Sequence, residues 1–201
     1  MADELDNLRQ SAQWAMAAKA GDMLAELATT PRNWLYNVFR INEEWLVWLT
    51  SALALGIEVK GLKANVLKAI GDVQQFRKQS DAALQSYQQA LALFKEIGDR
   101  LGEANVLQSK GKLFVVTGKG DEGLKLLQES LSLYEAIGDM TSGVNIYFFL
   151  AQVMASSGRY KEAIPLAEKV IAIIERVDSS HPALQTVRDF LQQLQQQANA
   201  G

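Results

Sequence analysis

The sequence contains no cysteine, one histidine and no apolar run long enough to cross a bilayer. Without cysteine the chain forms no disulfide, thiol nucleophile or cysteine-ligated metal site, which fits a reducing compartment such as the cytoplasm. The most apolar stretch, residues 45–57, is shorter than the roughly 20 residues that a spanning helix needs, so we expect no membrane span. The start of the chain is acidic, unlike the basic start of an export signal.

The sequence also lacks a large excess of positive charge and any recognisable catalytic motif. Its formal net charge is −3, so a basic face that neutralises several phosphates is not implied and nucleic acid is not an expected partner. Gly118-Lys119-Gly120-Asp121 is interpreted as a turn between helices, and His181 as a helix cap or an exposed side chain. We expect no catalytic residue, no metal site and no cofactor, and therefore no enzyme activity.

What the sequence does contain is a unit of forty residues that occurs three times, over residues 61–100, 101–140 and 141–180. The first two units align without a gap, so that Ala64-Asn65-Val66-Leu67 matches Ala104-Asn105-Val106-Leu107 and Ile97-Gly98-Asp99 matches Ile137-Gly138-Asp139. A fixed period of this length is typical of a solenoid, in which each unit buries its apolar face against its neighbours.

Each unit has the apolar spacing of two helices joined by a short turn, and no segment shows the sustained alternation of a strand. In the first unit, Gln79-Ser80-Asp81 is predicted to supply the turn and the cap between the two helices. Small residues recur at facing positions of the two helices and predict close packing: Gly71, Gly111 and Ala151 on the first helices, and Ala83, Gly123 and Ala163 on the second.

The flanking segments are predicted to close the two ends of the array. Residues 1–60 form an N-terminal helical cap, with a helix over 2–28 weakened at Gly21, a short helix over 34–40, and a degenerate half repeat that starts at an Asn42 N-cap and ends before Gly56. Residues 181–201 form a C-terminal capping helix with a stripe of Leu184, Val187, Leu191 and Leu194, which frays from Gln192 onward. The four tryptophans, Trp14, Trp34, Trp45 and Trp48, are either interface anchors or the apolar content of the N-terminal cap.

The repeated positions resemble the tetratricopeptide repeat, in particular a forty-residue subclass with a Gly-Asp joint that is common in bacterial arrays. The residues that carry the resemblance in the first unit are Leu67, Ile70, Gly71, Ala83, Tyr87 and Ala90. The resemblance implies an all-α, right-handed α-solenoid of tetratricopeptide-type helical hairpins with helical caps at both ends. It also implies a concave groove, lined by the first helices, that binds a peptide or helix of another protein. Two lysines depart from the pattern: Lys78 replaces the usual inter-helix glycine, and Lys110 replaces an apolar residue.

Projection of the first helices predicts which side chains line this groove: Asn65, Lys68, Asp72, Gln75, Asn105, Gln108, Lys112, Asn145, Phe148, Phe149 and Gln152. The asparagine that recurs at one register either contacts a peptide backbone, since an amide both donates and accepts, or braces neighbouring repeats. Lys68 and Lys112 either hold a carboxylate of the partner or are solvated. Phe148 and Phe149 require a cover, which is the terminal helix or the partner, so the groove is either open or partly occupied by that helix.

The favoured function is a non-catalytic scaffold or adaptor that binds a protein or peptide of unknown identity in this groove. The alternative is a structural element that forms a homo-oligomer through its terminal helices.

Overall fold

The computed structural model describes residues 2–29 and 43–200, and within these ranges every regular element is an α-helix. The prediction of an all-helical chain is therefore confirmed for the described residues. The helix predicted over residues 34–40 and the Asn42 N-cap lie outside them. The ten helices of the described ranges are α1 (Ala2–Ala17), α2 (Gly21–Thr29), α3 (Glu43–Leu55), α4 (Lys60–Phe76), α5 (Ser80–Ile97), α6 (Arg100–Val116), α7 (Gly120–Ala136), α8 (Met140–Ser156), α9 (Tyr160–Val177) and α10 (Ala183–Ala200).

The chain divides into two compact parts, each larger than one forty-residue repeat, with the division inside α7. We call residues 1–126 the first unit and residues 127–201 the second unit. In the first unit, α2 packs on α3 and α4, α4 on α5, and α5 on α6. One core cluster of this unit holds Trp45, Trp48 and Leu49 together with Leu24, and a second surrounds the buried rings of Tyr87 and Phe94.

In the second unit, α9 packs on both α8 and α10. One core cluster of this unit joins Tyr147, Val170 and Ile173 to Val187 of α10, and another joins Ala151, Ala163 and Ala167 to Leu194. The terminal helix is thus an integral part of this core.

The single helix predicted over residues 2–28 is wrong, because the segment forms two helices that are separated at residues 18–20. Lys19 adopts a left-handed backbone with φ 53° and ends the first of them. Gly21 is the first residue of α2 rather than a weak point inside a helix, and it is buried. A Cβ at this position would overlap the carbonyl oxygen of Gly56, so glycine is required for the close approach of two backbones.

The joints between successive hairpins form as the Gly-Asp pattern predicts. Gly98 and Gly138 end their helices with φ values of 73° and 75°, a conformation that glycine adopts without strain. Asp99 then accepts a hydrogen bond from the Gly102 backbone at 2.9 Å, and Asp139 accepts one from the Ser142 backbone at 3.0 Å. Each joint therefore closes one helix and caps the next.

The turn inside the first hairpin forms where it was predicted, but its side-chain cap does not. Lys78 takes the left-handed conformation, with φ 60°, that Gly118 and Gly158 take in the other two hairpins. Gln79 is the N-cap residue of α5 and makes no side-chain cap hydrogen bond. Asp81 lies inside the first turn of α5, where its negative charge interacts favourably with the positive end of the helix dipole but does not cap the helix.

The small residues bring the helices of a hairpin together as expected. A Cβ on Gly71 would lie 2.6 Å from the ring of Tyr87. In the second hairpin a Cβ on Gly123 would lie 2.7 Å from the Gly111 carbonyl oxygen. Ala151 and Ala163 of the third hairpin are fully buried.

The terminal helix begins where the sequence indicates but extends further than predicted. His181 Nδ1 accepts a hydrogen bond from the Ala183 backbone at 3.2 Å, so the single histidine acts as a helix cap. The helix continues to Ala200, and the predicted fraying from Gln192 is wrong. Leu194, only 2% exposed, explains the difference because it holds this polar stretch in the core of the second unit.

Candidate functional site

In the first unit, the predicted groove residues lie on two first helices that contact each other, α4 and α6. Asn65 is exposed, whereas Lys68, Asp72 and Gln75 of α4 are half-buried. On α6, the predicted residues Asn105, Gln108 and Lys112 are all half-buried. The structure therefore brings these seven side chains together on neighbouring helices and leaves all of them at least partly accessible.

Asp72 lies at the centre of a polar network on this face. Its Oδ2 accepts a hydrogen bond from Lys68 Nζ at 2.8 Å, and its Oδ1 accepts one from the Tyr87 hydroxyl at 2.8 Å. Ser109 Oγ, on α6, lies 3.4 Å from the same Oδ1. One carboxylate thus connects α4, α5 and α6, and its side chain is only 11% exposed.

Within this network the Lys68 ammonium forms an ion pair with Asp72. Because the Lys68 ammonium is paired with Asp72 within one helix, a carboxylate from a partner would have to compete with a carboxylate already in place. The spacing of four residues between Lys68 and Asp72 is a signal from which this ion pair could have been predicted.

Tyr87 supplies the part of the network that the sequence did not reveal. Its ring is fully buried beneath Gly71, yet its hydroxyl also lies 2.8 Å from Gln75 Oε1. A buried tyrosine hydroxyl usually finds a polar partner, but the identity of that partner depends on how α4 packs against α5. The result is a core residue that fixes the position of two groove residues.

Lys110, which replaces an apolar residue, does not belong to the groove face. Its Nζ lies 5.8 Å from the centroid of the Phe114 ring, and Lys119 Nζ lies 5.2 Å from the same centroid. The aliphatic stem of a lysine tolerates apolar surroundings, and the ring face attracts an ammonium group. Lys110 and Lys112 are two residues apart on α6 and so project toward nearly opposite sides of that helix.

In the second unit, the predicted residues on α8 divide into two groups. Asn145 and Gln152 are exposed and Phe149 is half-buried. Phe148 packs edge-to-face against Phe190 of α10, with ring centroids 5.6 Å apart and an interplanar angle of 73°. The terminal helix therefore covers at least one of the two adjacent phenylalanines, as one of the alternatives predicted, and half-buried Phe149 is the aromatic candidate of this face.

Tyr147 occupies the core register that the sequence predicts, at 7% exposure. Lys169 Nζ of α9 lies 4.2 Å from its ring centroid. Tyr147 is therefore a core residue of the second unit rather than a residue of the groove face.

Other kinds of site receive no support from the part of the chain that the structure describes. Over residues 2–29 and 43–200, no three histidine, aspartate or glutamate side chains converge as metal ligands. None of the helices in those ranges has both the length and the apolar character needed to cross a bilayer.

The comparison with known proteins agrees with the helical hairpins. Residues 102–176 match the sequence model of the tetratricopeptide repeat family. No curated protein matches the chain significantly in sequence.

Similar solved structures cover most of the chain. The crystal structure of BtubC (BKLC) from P. vanneervenii superposes with a TM-score of 0.75 at 16% identity, over 96% of this chain and 82% of that one. A putative kinesin light chain from Podosopora anserina with nearly identical TPR-like repeats gives a TM-score of 0.62 at 18% identity, over 88% of this chain and 86% of that one. A variant of the same Podosopora anserina protein gives a TM-score of 0.62 at 17% identity, over 88% of this chain and 85% of that one. Together with the helices described above, these similarities show that the chain has the fold of an α-solenoid of tetratricopeptide-like repeats.

Proposed function

We propose that this protein is a non-catalytic scaffold or adaptor that binds a peptide or helical segment of another protein on the face of its first helices. In this proposal residues 61–180 form the binding array, residues 1–60 and 181–201 close its ends, and the protein acts in the cytoplasm. Tetratricopeptide repeats generally mediate interactions between proteins, and the family match over residues 102–176 supports the assignment.

The observation that carries the proposal is the network at Asp72. The Asp72 carboxylate accepts hydrogen bonds from Lys68 of α4, Tyr87 of α5 and Ser109 of α6. We infer that these contacts hold the polar face of the first unit in one arrangement before a partner binds. A preorganised face avoids part of the entropic cost of ordering side chains on binding.

The asparagines on this face are the proposed contacts to the partner backbone. Asn65 is exposed and Asn105 half-buried at the same register of successive repeats, and an amide both donates to and accepts from a peptide group. Lys112 is proposed to contact an acidic flank of the ligand. In the second unit, exposed Asn145 and Gln152 offer the same polar functions, and half-buried Phe149 is the proposed apolar anchor.

The test is selection from a displayed library of random 12-residue peptides, using the full chain as bait. Peptides selected on the wild type should bind the double variant Asn65→Ala/Asn105→Ala at least tenfold more weakly. The matched control is Gln88→Ala/Gln128→Ala, since these two glutamines are exposed at one repeated register of the second helices. The control should bind within twofold of the wild type, and circular dichroism should show equal helix content in all three proteins. Failure to select any peptide, or equal loss in both double variants, would contradict the proposal.

A further inference from the structure

The α1–α2 hairpin of the first unit leaves an open cleft on its outer surface. The cleft has a volume of about 550 Å³ and is lined by Gln10, Ser11, Trp14, Met23 and Leu27. Trp14 is 59% exposed and Met23 43% exposed, whereas Trp45 and Trp48 are each 4% exposed. Trp14 therefore adds little to the core of the N-terminal cap, although the two other described tryptophans are buried in it.

We propose that this cleft is a second docking surface, separate from the face of the first helices, and that it binds the apolar side of a short, basic amphipathic helix from another protein. The volume falls within the range of roughly 300–1,000 Å³ that is common for ligand sites. A groove between two helices lined by tryptophan, methionine and leucine is suited to the large apolar anchors of an amphipathic helix.

The lining has no charged group, and its polar groups are the exposed Gln10 amide and the Ser11 hydroxyl. Ser11 Oγ, the hydroxyl in the cleft, donates to the Asn7 carbonyl oxygen at 2.8 Å within α1. The ligand side that enters the cleft should therefore be apolar, and recognition of charge should occur at the rim.

The charge around the cleft indicates a basic partner. The described side chains of residues 6–29 include three carboxylates, Asp6, Asp22 and Glu26, and two cations, Arg9 and Lys19. Arg9 is held by Glu44 of α3, with Nε 3.1 Å from both carboxylate oxygens, and by Asp6 at 3.2 Å. On α2, Asp22 precedes Met23 and exposed Glu26 follows it by three residues, on the same side of the helix. Asp22 Oδ1 also accepts a hydrogen bond from the Glu58 backbone at 3.1 Å. Lysine or arginine on the rim of a docked helix would complement these carboxylates, with an attraction that weakens as salt increases.

The same observations argue against a second copy of this chain as the occupant. Two copies would bring two acidic hairpins together, which is unfavourable for like charges. The five lining residues are also far fewer than the roughly 20–30 residues per side of a stable protein interface.

The experiment uses two synthetic 14-residue helical peptides that share leucine at positions i, i+3, i+4 and i+7 and differ only in their polar face, lysine in one and glutamate in the other. Because the chain has no cysteine, Asn7→Cys creates a unique attachment point for an environment-sensitive dye one helical turn from Ser11. We expect the lysine peptide to bind the labelled full chain at least tenfold more tightly than the glutamate peptide, and the difference to shrink in high salt.

Two variants and one control localise the binding to the cleft. Trp14→Ser should weaken the lysine peptide at least tenfold with little change in melting temperature, since the side chain is largely exposed. Met23→Lys should weaken the lysine peptide and strengthen the glutamate peptide. The control Val116→Ser removes an apolar side chain of α6 that is 63% exposed and should leave both affinities unchanged.

Three results would overturn the proposal. Equal affinity for the lysine and glutamate peptides would show that the surface does not select a basic partner. An affinity of Trp14→Ser for the lysine peptide equal to that of the wild type would show that the peptide does not bind in the cleft. A dimer in light scattering that dissociates on Trp14→Ser would show that the occupant is a second copy.

Discussion

Replacement of Gly123 by alanine tests whether close backbone packing holds the second hairpin together. The added Cβ would lie 2.7 Å from the Gly111 carbonyl oxygen and 2.8 Å from the Val115 backbone nitrogen. Both atoms belong to the backbone of α6, so they are unable to rotate away as the end of a flexible side chain would. The two helices have to separate by several tenths of an ångström.

The size of the effect follows from two opposing contributions. Overpacking of a tight contact costs about 1–3 kcal/mol, and the upper half of that range applies here because the contacts are to backbone atoms. Glycine to alanine in a helix recovers about 0.4–1 kcal/mol by restricting the unfolded chain. We expect a net loss of about 1–2.6 kcal/mol in the free energy of unfolding.

Gly120 in the same helix provides the matched control, because a Cβ there would meet nothing within 4 Å. Gly120→Ala should therefore stabilise the protein by about 0.4–1 kcal/mol. Urea unfolding followed by circular dichroism measures both variants under identical conditions. If Gly123→Ala is as stable as Gly120→Ala, the hairpin is not held at the limit of backbone contact and the reasoning fails.

Three further predictions concern the second unit. Phe190→Ala should destabilise the second unit by about 2 kcal/mol in urea titrations, because the substitution removes the edge-to-face contact with Phe148. The control Gln193→Ala, at an exposed position of the same helix, should change stability by less than about 0.5 kcal/mol. Asp139→Ala should cost about 1 kcal/mol at pH 7. The hydrogen bond from the Ser142 hydroxyl is the largest influence that holds the pKa of Asp139 below its ordinary 3.8. The stability that Asp139 contributes is therefore complete above pH 3.8 and is lost as pH falls through the pKa of the folded state. A stability difference between Asp139→Ala and wild type that is the same at pH 2 and pH 7 would disprove the assignment. Deletion of residues 180–201 should cause aggregation, because it uncovers the α8 and α9 surface that Val187 and Leu194 contact; an unchanged melting temperature and a monomeric sedimentation profile would show that α10 is dispensable.

The hairpins were predictable because their signals are local. Apolar residues at helical spacing and a glycine followed by aspartate each act within a few residues, so the joint at Gly98-Asp99 forms as its composition indicates. The tryptophans were predictable only in part, because their composition allowed two interpretations: Trp45 and Trp48 are buried in the core of the first unit, whereas Trp14 is 59% exposed.

The network at Asp72 could be predicted only in part. Its pair with Lys68 follows from spacing within one helix, but Tyr87 is fifteen positions away on another helix and Ser109 belongs to the next repeat. Their convergence depends on the packing of α4 against α5 and α6, which no local pattern specifies. Likewise, the extent of α10 depends on tertiary burial of Leu194, which outweighs the polar composition of the segment.

The joint at Gly98 and Asp99 also limits how the length of this chain can change. The Asp99 backbone N–H donates to the Phe94 carbonyl oxygen at 3.0 Å, while its side chain accepts from Gly102 at 2.9 Å, so one residue completes α5 and begins α6. An inserted residue between Gly98 and Asp99 would break the first of these hydrogen bonds, and one between Asp99 and Gly102 would break the second. Insertions are therefore expected to be tolerated less well at this joint than in an ordinary surface loop, although the joint is short and lies between helices.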